Sequence, residues 1–211
     1  MIVADIYGPD EFAADTDVSR ETLAKLKFYS SALTKWQRAK NLVANSTIDD
    51  QWRRHFLDSA QLFPLILRFH PDRALTLLDI GSGAGFPGLV LSTMGLGQVT
   101  TVEANGRKCT FMNHIIRETE ISATVLNQRI ESVENQPFDI ITSRACAKVE
   151  QLLEWSAPFV GDHTEIWLLK GLTAEEELTQ AIASWNMTTE QFDSKSSQEG
   201  VILRLSNIKE R

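Results

Sequence analysis

The sequence predicts an α/β protein in which a helical segment precedes a mostly parallel sheet. From Ala74 onward, short apolar runs alternate with helical patterns. This alternation implies parallel strands that are joined by crossover helices and covered on both faces. Up to about His70, in contrast, apolar residues recur at helical spacing only. We therefore expect residues 1–72 to form a helical N-terminal extension and residues 73–211 to form the sheet domain.

The helical extension is expected to contain three helices. Ser19 is a suitable N-cap for the first, because its hydroxyl oxygen can accept from the N–H groups of the first turn. Asp49 or Asp50 is expected to cap the second helix, and Pro64 suits the first turn of the third. The apolar residues that support the first helix are Leu23, Leu26, Leu33 and Trp36.

Seven strands are predicted in the remaining chain. The strands are expected at residues 75–80, 99–102, 123–126, 138–142, 166–169, 187–192 and 201–205, and the helices at residues 87–94, 107–118, 149–155 and 174–185. No helical pattern separates the last two strands, so we expect them to form an antiparallel pair at one edge of the sheet.

Composition excludes several classes of protein. The chain has 211 residues, of which 43% are hydrophobic and 23% charged, as in ordinary soluble domains. No apolar run approaches the roughly 18 residues of a membrane helix, and no basic segment precedes an apolar stretch at the N-terminus. The two cysteines, Cys109 and Cys146, cannot build a disulfide framework or a zinc site by themselves. We expect a cytoplasmic protein without a metal and without a membrane association.

Charge is distributed unevenly within a chain whose net charge is −7. Residues 1–19 carry five acidic and no basic residues, whereas residues 20–55 carry eight basic and three acidic residues, a net charge of +5. A basic block within an acidic chain is compatible with a local contact to nucleic acid. A solvated helix face would produce the same pattern.

A glycine-rich loop follows the first predicted strand, at residues 81–88. Glycines at Gly81, Gly83 and Gly85 allow a sharp turn and the close approach of a ligand to the backbone. The dinucleotide fingerprint requires glycine where Phe86 stands, and the Lys-Ser/Thr pair of a P-loop is missing. The loop instead resembles the G-x-G-x-G motif of methyltransferases that use S-adenosylmethionine.

Two carboxylates accompany this loop. Glu103 ends the second predicted strand, where its carboxylate can accept hydrogen bonds from ribose hydroxyls, but that position serves NAD and S-adenosylmethionine equally. Asp79 ends the first strand, where it either balances the amino-acid moiety of a cofactor or caps the turn.

Several short segments make a closer resemblance specific. They lie at residues 35–36, 41–42, 54–59, 79–88, 138–139, 143–145 and 169–171, and the Arg-His-x-x-Asp-Ser and Ser-Arg-Ala segments are the most specific. With them the chain resembles the bacterial 16S ribosomal RNA guanine-N7 methyltransferases, also called the glucose-inhibited division protein B family. The resemblance extends from about Leu23 to Leu205.

The resemblance implies a Rossmann-like S-adenosylmethionine-dependent methyltransferase fold with a seven-stranded, mostly parallel sheet and an antiparallel edge. It implies methyl transfer to N7 of a guanine in the 530 loop of 16S ribosomal RNA, at position 527, with that RNA or the small ribosomal subunit as partner. We expect a monomer. Among the implied contacts, Arg144 reaches the cofactor or substrate side of the pocket and is the expected catalytic residue. The residues implied to bind the cofactor are Gly81, Gly83, Phe86, Glu103, Ile130, Glu131 and Arg144.

Other interpretations of these residues remain open at this point. Glu131 could cap a short helical turn, and Arg144 could be a structural ion-pair partner. His55 could be a helix histidine with satisfied hydrogen bonds, and Asp58 could pair with Arg54 one turn away. Cys146 departs from the aromatic or other apolar residue that the family often carries there.

Three other functions also remain open. They are a methyltransferase for a small molecule or a protein, a nicotinamide-dependent oxidoreductase, and a non-catalytic RNA-binding protein. Guanine N7 carries a lone pair and no proton, so its methylation requires positioning but no general base. The chain accordingly lacks the Asn/Asp-Pro-Pro-aromatic motif of enzymes that methylate exocyclic amines.

Overall fold

The computed structural model describes residues 7–71, 74–144 and 146–211. The predicted boundary between the helical extension and the sheet domain, at residues 72 and 73, lies outside the described residues, as does Ala145 of the Ser-Arg-Ala segment. The helices of the N-terminal part are α1 (Pro9–Thr16), α2 (Arg20–Lys40), α3 (Asp58–Ala60) and α4 (Leu62–Phe69).

The described chain forms a seven-stranded sheet in the order β3-β2-β1-β4-β5-β7-β6. Its strands are β1 (Leu75–Ile80), β2 (Gly97–Val102), β3 (Ala123–Leu126), β4 (Phe138–Arg144), β5 (Val160–Lys170), β6 (Trp185–Asp193) and β7 (Val201–Glu210). The helices between them are α5 (Gly88–Thr93), α6 (Gly106–Thr119), α7 (Val149–Ser156) and α8 (Ala174–Ala181). The first five strands are parallel, and β7 is antiparallel to both of its neighbours. The predicted fold class is therefore confirmed.

Helix α1 is an element that the sequence analysis did not predict. The acidic composition of this segment conceals it, because only Phe12 is fully buried. The helix begins where the Glu11 carboxylate accepts from the Gly8 N–H at 2.9 Å, and it ends at Asp17, whose φ of 50° is left-handed. Phe12 packs against Trp52 with the ring centroids 5.3 Å apart.

Helix α2 begins as predicted, because the Ser19 hydroxyl accepts from the Thr22 N–H at 3.0 Å. The expected cap of the second helix is wrong. Residues Trp52–Leu57 form a π-helical turn, and neither Asp49 nor Asp50 caps it with its side chain. The wider turn places four side chains in the interior, and these are Trp52, His55, Phe56 and Leu57.

Several elements of the sheet domain differ from the prediction in their bounds, most of all β5, α8 and β7, the last of which continues to Glu210. β5 begins at Val160, six residues earlier than expected, because Gly161 and the polar residues 162–165 precede its apolar run and carry no strand pattern. Helix α8 ends at Ala181, and Trp185 instead begins β6. The two closing strands pair antiparallel as predicted, but β7 lies between β5 and β6, so β6 is the edge.

An ion cluster lies where β5 and β7 meet α4. Arg204 bonds Glu165 and Glu190, the Trp167 Nε1–H donates to Glu165 at 3.0 Å, and the His70 imidazole lies 3.2 Å from Glu165. Burial opposes the charge of Glu165, but the hydrogen bond and charge of Arg204, together with His70, outweigh it and hold the pKa of this carboxyl below its usual value.

We expect this cluster to make the fold sensitive to acid. A carboxyl group whose pKa is lowered by folding stabilises the folded state at pH values above its unfolded-state pKa of about 4.3. That stabilisation is lost as the pH falls through the lower folded-state pKa. The free energy of unfolding, measured with denaturant from pH 6 to pH 3, should therefore fall less steeply in Glu165→Gln than in the wild type. Parallel curves for the two proteins would contradict this assignment.

Candidate active site

The glycine loop after β1 contains two positions, Gly81 and Gly85, at which any other residue would strain the backbone and clash with a neighbouring side chain. Gly81 has a φ of +67°, and a Cβ there would lie 2.3 Å from the Cys146 sulfur. Gly85 has a φ of +101°, and a Cβ there would lie 2.6 Å from the Tyr29 hydroxyl. L-amino acids rarely adopt such φ values, so glycine is required at both positions by conformation and by space.

Tyr29 of α2 holds this loop from the N-terminal side. Its hydroxyl donates to the Ala84 carbonyl at 2.5 Å, and its ring stacks on Phe86 with the centroids 5.2 Å apart. Complete burial raises the pKa of Tyr29 well above its usual value, so the hydroxyl keeps its proton for this bond. This role of Tyr29 is not predictable from the sequence, because its helical spacing indicates only a core position.

Asp79 supports the same loop from beneath. It is fully buried, and its carboxylate accepts from the Gly88 N–H and from the Thr142 hydroxyl, each at 3.0 Å. Burial raises its pKa to about 6. Of its two open interpretations, the structure shows the cap of the turn, and Asp79 does not line the neighbouring cavity.

Glu103 follows the last residue of β2 and joins the loop to the next helix. Its carboxylate accepts from the Gly83 N–H at 2.9 Å and from the Asn105 N–H at 2.8 Å. Both bonds use backbone donors, so the carboxylate is fixed in place while it still lines the cavity. Lone pairs remain on both oxygens for a further donor.

A cavity of about 530 Å³ opens above these groups, at the carboxyl ends of the parallel strands. This is the edge at which open α/β sheets bind ligands. All seven residues that the sequence analysis singled out for a cofactor line this cavity: Gly81, Gly83, Phe86, Glu103, Ile130, Glu131 and Arg144. Residues that the sequence analysis did not single out also line it, among them Lys108, whose ammonium would lie 3.9 Å from a Cβ at Gly83.

Arg144 ends β4 at one side of the cavity. Its guanidinium lies 5.1 Å from the centre of the Phe86 ring and donates to the Arg54 carbonyl at 3.1 Å. It also lies 3.4 Å from the Asp58 carboxylate. The ion pair considered from the sequence is therefore present, and Asp58 pairs with Arg144 instead of Arg54.

His55 stands beside Arg144 with its ring stacked on Phe86. The Thr47 hydroxyl donates to the Ala44 carbonyl, so its oxygen must accept from His55 Nε2 at 2.8 Å. This bond places the proton on Nε2, and the buried Nδ1 has no hydrogen-bond partner among the described residues. Burial, with the charges of Arg144 and Arg54, lowers the pKa of His55 to about 3, so the imidazole is neutral.

A second cavity, of about 700 Å³, adjoins the first. His55, Arg144 and Cys146 line both cavities. The two spaces therefore meet at these three side chains, and the arrangement suits a reaction between two ligands that are bound side by side.

The strand order, the glycine loop after β1 and the carboxylate after β2 define the class of the protein: an S-adenosylmethionine-dependent methyltransferase with a Rossmann-like fold. The family described as GidB, rRNA small subunit methyltransferase G, matches residues 22–202. The chain belongs to this family, and the resemblance read from the sequence is confirmed.

Relatives with the same description cover nearly the whole chain. The ribosomal RNA small subunit methyltransferase G of Paramagnetospirillum magneticum is 45% identical over 95% of this chain and 96% of its own length. The protein of that name from Rhodospirillum rubrum is 46% identical over 95% of this chain and 98% of its own length.

A solved structure shares the fold at low sequence identity. The plantazolicin methyltransferase BpumL in complex with SAH superposes with a TM-score of 0.59 at 13% identity, over 91% of this chain and 99% of that chain. In the ranges that the structure describes, no helix has the length and apolar character to cross a membrane. The same ranges contain no group of three or more His, Cys, Asp or Glu side chains that could hold a metal ion.

Proposed function

We infer that this rRNA methyltransferase transfers a methyl group from S-adenosylmethionine to N7 of guanine 527 in the 530 loop of 16S ribosomal RNA. We propose that the protein acts on the small ribosomal subunit or its RNA, and that it does so in the cytoplasm and as a monomer. The observation that carries the proposal is the joining of two cavities at Arg144. One cavity contains every residue expected to bind the cofactor, and the other is large enough to receive a nucleotide.

The residues of the first cavity match the chemistry of this methyl donor. The Glu103 carboxylate is placed to accept from ribose hydroxyls, and Ile130, the one buried residue of a turn after β3, offers an apolar contact for an adenine ring. The donor supplies an electrophilic methyl group on a sulfonium cation when it is bound. S-adenosylmethionine contains no pyrophosphate, which agrees with a loop that does not match the dinucleotide-binding fingerprint at Phe86.

The reaction requires placement more than proton transfer. The N7 lone pair forms the new N–CH₃ bond, the S–CH₃ bond breaks with its electron pair remaining on sulfur, and the positive charge passes to the base. No proton moves, so no general base is required, and the chain contributes by aligning the two ligands and by its electrostatic field. The low pKa of His55 agrees with a role that involves no proton transfer.

Methylation of ribosomal subunits tests the proposal directly. Small subunits from cells that lack this protein should accept one methyl group each from labelled S-adenosylmethionine, and strand cleavage at 7-methylguanine should map it to position 527. Label at another nucleotide would contradict the site. Label on small molecules or proteins, with none on the subunit, would favour the alternative class of methyltransferase.

The basic face of the N-terminal helices is proposed to contact RNA phosphates. Lys25 pairs with Glu21, Lys27 pairs with Asp10, and Arg53 lies over the Tyr7 ring. Three of the eight basic residues in residues 20–55 are therefore already engaged within the protein. Five basic residues of this segment have no ion pair within the described ranges, namely Arg20, Lys35, Arg38, Lys40 and Arg54.

We expect the triple variant Lys35→Gln, Arg38→Gln, Lys40→Gln to weaken binding to the subunit and to reduce its salt dependence. Each lost phosphate contact should remove about 0.7–0.9 from the slope of log affinity against log salt, or roughly 2–3 in total. Cofactor affinity should not change. The double variant Lys209→Gln, Arg211→Gln, at the end of β7 beside the edge strand β6, is the control. An unchanged slope in the triple variant would mean that this face is only solvated.

A further inference from the structure

The second cavity is lined by a carboxylate to which the methyl-transfer step itself assigns no role. Asp58 lines this cavity but not the first one, and its side chain is 19% exposed. It lies next to Arg144, which lines both. Moving from the first cavity into the second, a ligand therefore meets the guanidinium of Arg144 first and the carboxylate of Asp58 next.

The hydrogen bonds of Asp58 are distributed unevenly between its two oxygens. Oδ1 accepts from the Ser196 hydroxyl at 2.5 Å and from the Gln61 amide at 3.2 Å. Gln61 in turn accepts from the Lys195 N–H at 2.7 Å, which fixes the loop between β6 and β7 beside it. Oδ2 has only the contact with Arg144, which at 3.4 Å is longer than a normal hydrogen bond. The carboxylate is thus held by one oxygen and has capacity left on the other.

This order of groups is complementary to one purine. Around its edge, guanine carries the N7 lone pair, then the O6 acceptor, then the N1–H and N2–H donors. A guanine whose N7 faces the methyl group would place O6 toward Arg144, a donor, and N1–H toward Asp58, an acceptor. Adenine has a donor at N6 and an acceptor at N1, so both contacts would be repulsive or unpaired.

We propose that the second cavity is the acceptor-base site and that Asp58 selects guanine there by accepting from its N1–H and N2–H edge. Asp58 then contacts the substrate as a specificity-determining residue, and Ser196 and Gln61 are positioning residues that orient it. The inference rests on the proposed function, since it takes N7 as the methylated atom.

The rim of the second cavity suits a nucleotide within an RNA chain. Arg54 and Lys148 line it, are exposed, and have no ion pair in the part of the chain that the structure describes. Leu172 lines the same cavity with 77% of its surface exposed. Two free cations and one exposed apolar side chain offer contacts to phosphates and to a base that has left its stack.

A cycle of one protein variant and one base analogue tests the proposal. Small subunits are reconstituted with 16S RNA that carries either guanine or 1-methylguanine at the target position, since 1-methylguanine keeps N7 and O6 but lacks the N1–H. We expect Asp58→Asn to lower kcat/KM on guanine subunits about 10- to 100-fold, with unchanged affinity for S-adenosylmethionine. The kcat/KM of the wild type should fall by a similar factor on 1-methylguanine subunits. The kcat/KM of Asp58→Asn should be nearly the same on 1-methylguanine and guanine subunits, because both changes remove the same contact.

Two further variants separate recognition from folding. Asp162→Asn makes the same chemical change near the start of β5, whereas the other end of that strand lines the second cavity. This variant should behave as the wild type. If Asp58→Asn is too unstable to assay, Ser196→Ala takes its place. This variant removes the bond that orients Asp58, and it should show a smaller loss of kcat/KM with the same dependence on the base. Losses that multiply, or an Asp58→Asn variant with wild-type kinetics, would overturn the proposal. A wild-type enzyme that leaves guanine subunits unmethylated would instead contradict the proposed function.

Discussion

Replacing Arg144 by alanine is expected to lower kcat for methylation of the small subunit by about 100- to 1000-fold, the effect of removing one well-placed electrostatic donor from an active site. Arg144 lies where the two cavities meet, with its guanidinium over the Phe86 ring and its Nη1 bonded to the Arg54 carbonyl. The substitution therefore removes a group that lines both cavities and that we propose orders both ligands. The measurement is single-turnover methylation of subunits isolated from cells that lack the protein.

The ion pair with Asp58 provides the competing explanation, so stability must be measured in the same preparation. We expect the melting temperature of Arg144→Ala to stay close to that of the wild type, because Asp58 keeps its bonds from Ser196 and Gln61. Arg144→Lys keeps the charge without the planar fork and should recover only part of the rate. Arg117→Ala, at an exposed arginine of α6, is the control. An inactive Arg144→Ala that also melts many degrees lower would assign the residue a structural role.

Removing the Glu103 carboxylate is expected to weaken the binding of S-adenosylmethionine and of its demethylated product by about 1–3 kcal/mol, the scale of a lost charge-assisted hydrogen bond. The carboxylate lines the cofactor cavity and also holds the Gly83 and Asn105 N–H groups. Glu103→Ala therefore removes the proposed ribose contact and a support of the glycine loop together. Isothermal calorimetry at a fixed salt concentration measures the change.

A product analogue without ribose hydroxyls separates these two contributions. If Glu103 contacts the ribose, the wild type should lose affinity for this analogue, and Glu103→Ala should bind it about as well as it binds the product itself. If the carboxylate only supports the loop, both proteins should lose the same factor on the analogue. Equal affinity of the wild type and Glu103→Ala for the product would remove Glu103 from the binding site.

The sequence by itself determined the features that depend on neighbouring residues. The apolar run at residues 75–80 coincides with β1, because burial on both faces leaves a nearly continuous apolar signal. The strand predicted at residues 123–126 coincides with β3. The Ser19 cap was predictable because the bond spans only three residues. The placement of the glycine loop and Glu103 at one cavity was predictable because parallel strands bring their carboxyl ends to one edge.

Only the tertiary structure decided which distant groups meet. The Tyr29 hydroxyl bonds a carbonyl 55 residues away, and Arg144 pairs with Asp58 across 86 residues. No local period records either contact. Tertiary packing also decided two further features. These are the π-helical turn at Trp52–Leu57 and the position of β7 between β5 and β6, and both depend on the elements against which these segments pack. Hydrophobic spacing specifies which face of an element is buried, whereas the partner of each polar group depends on how the faces are assembled.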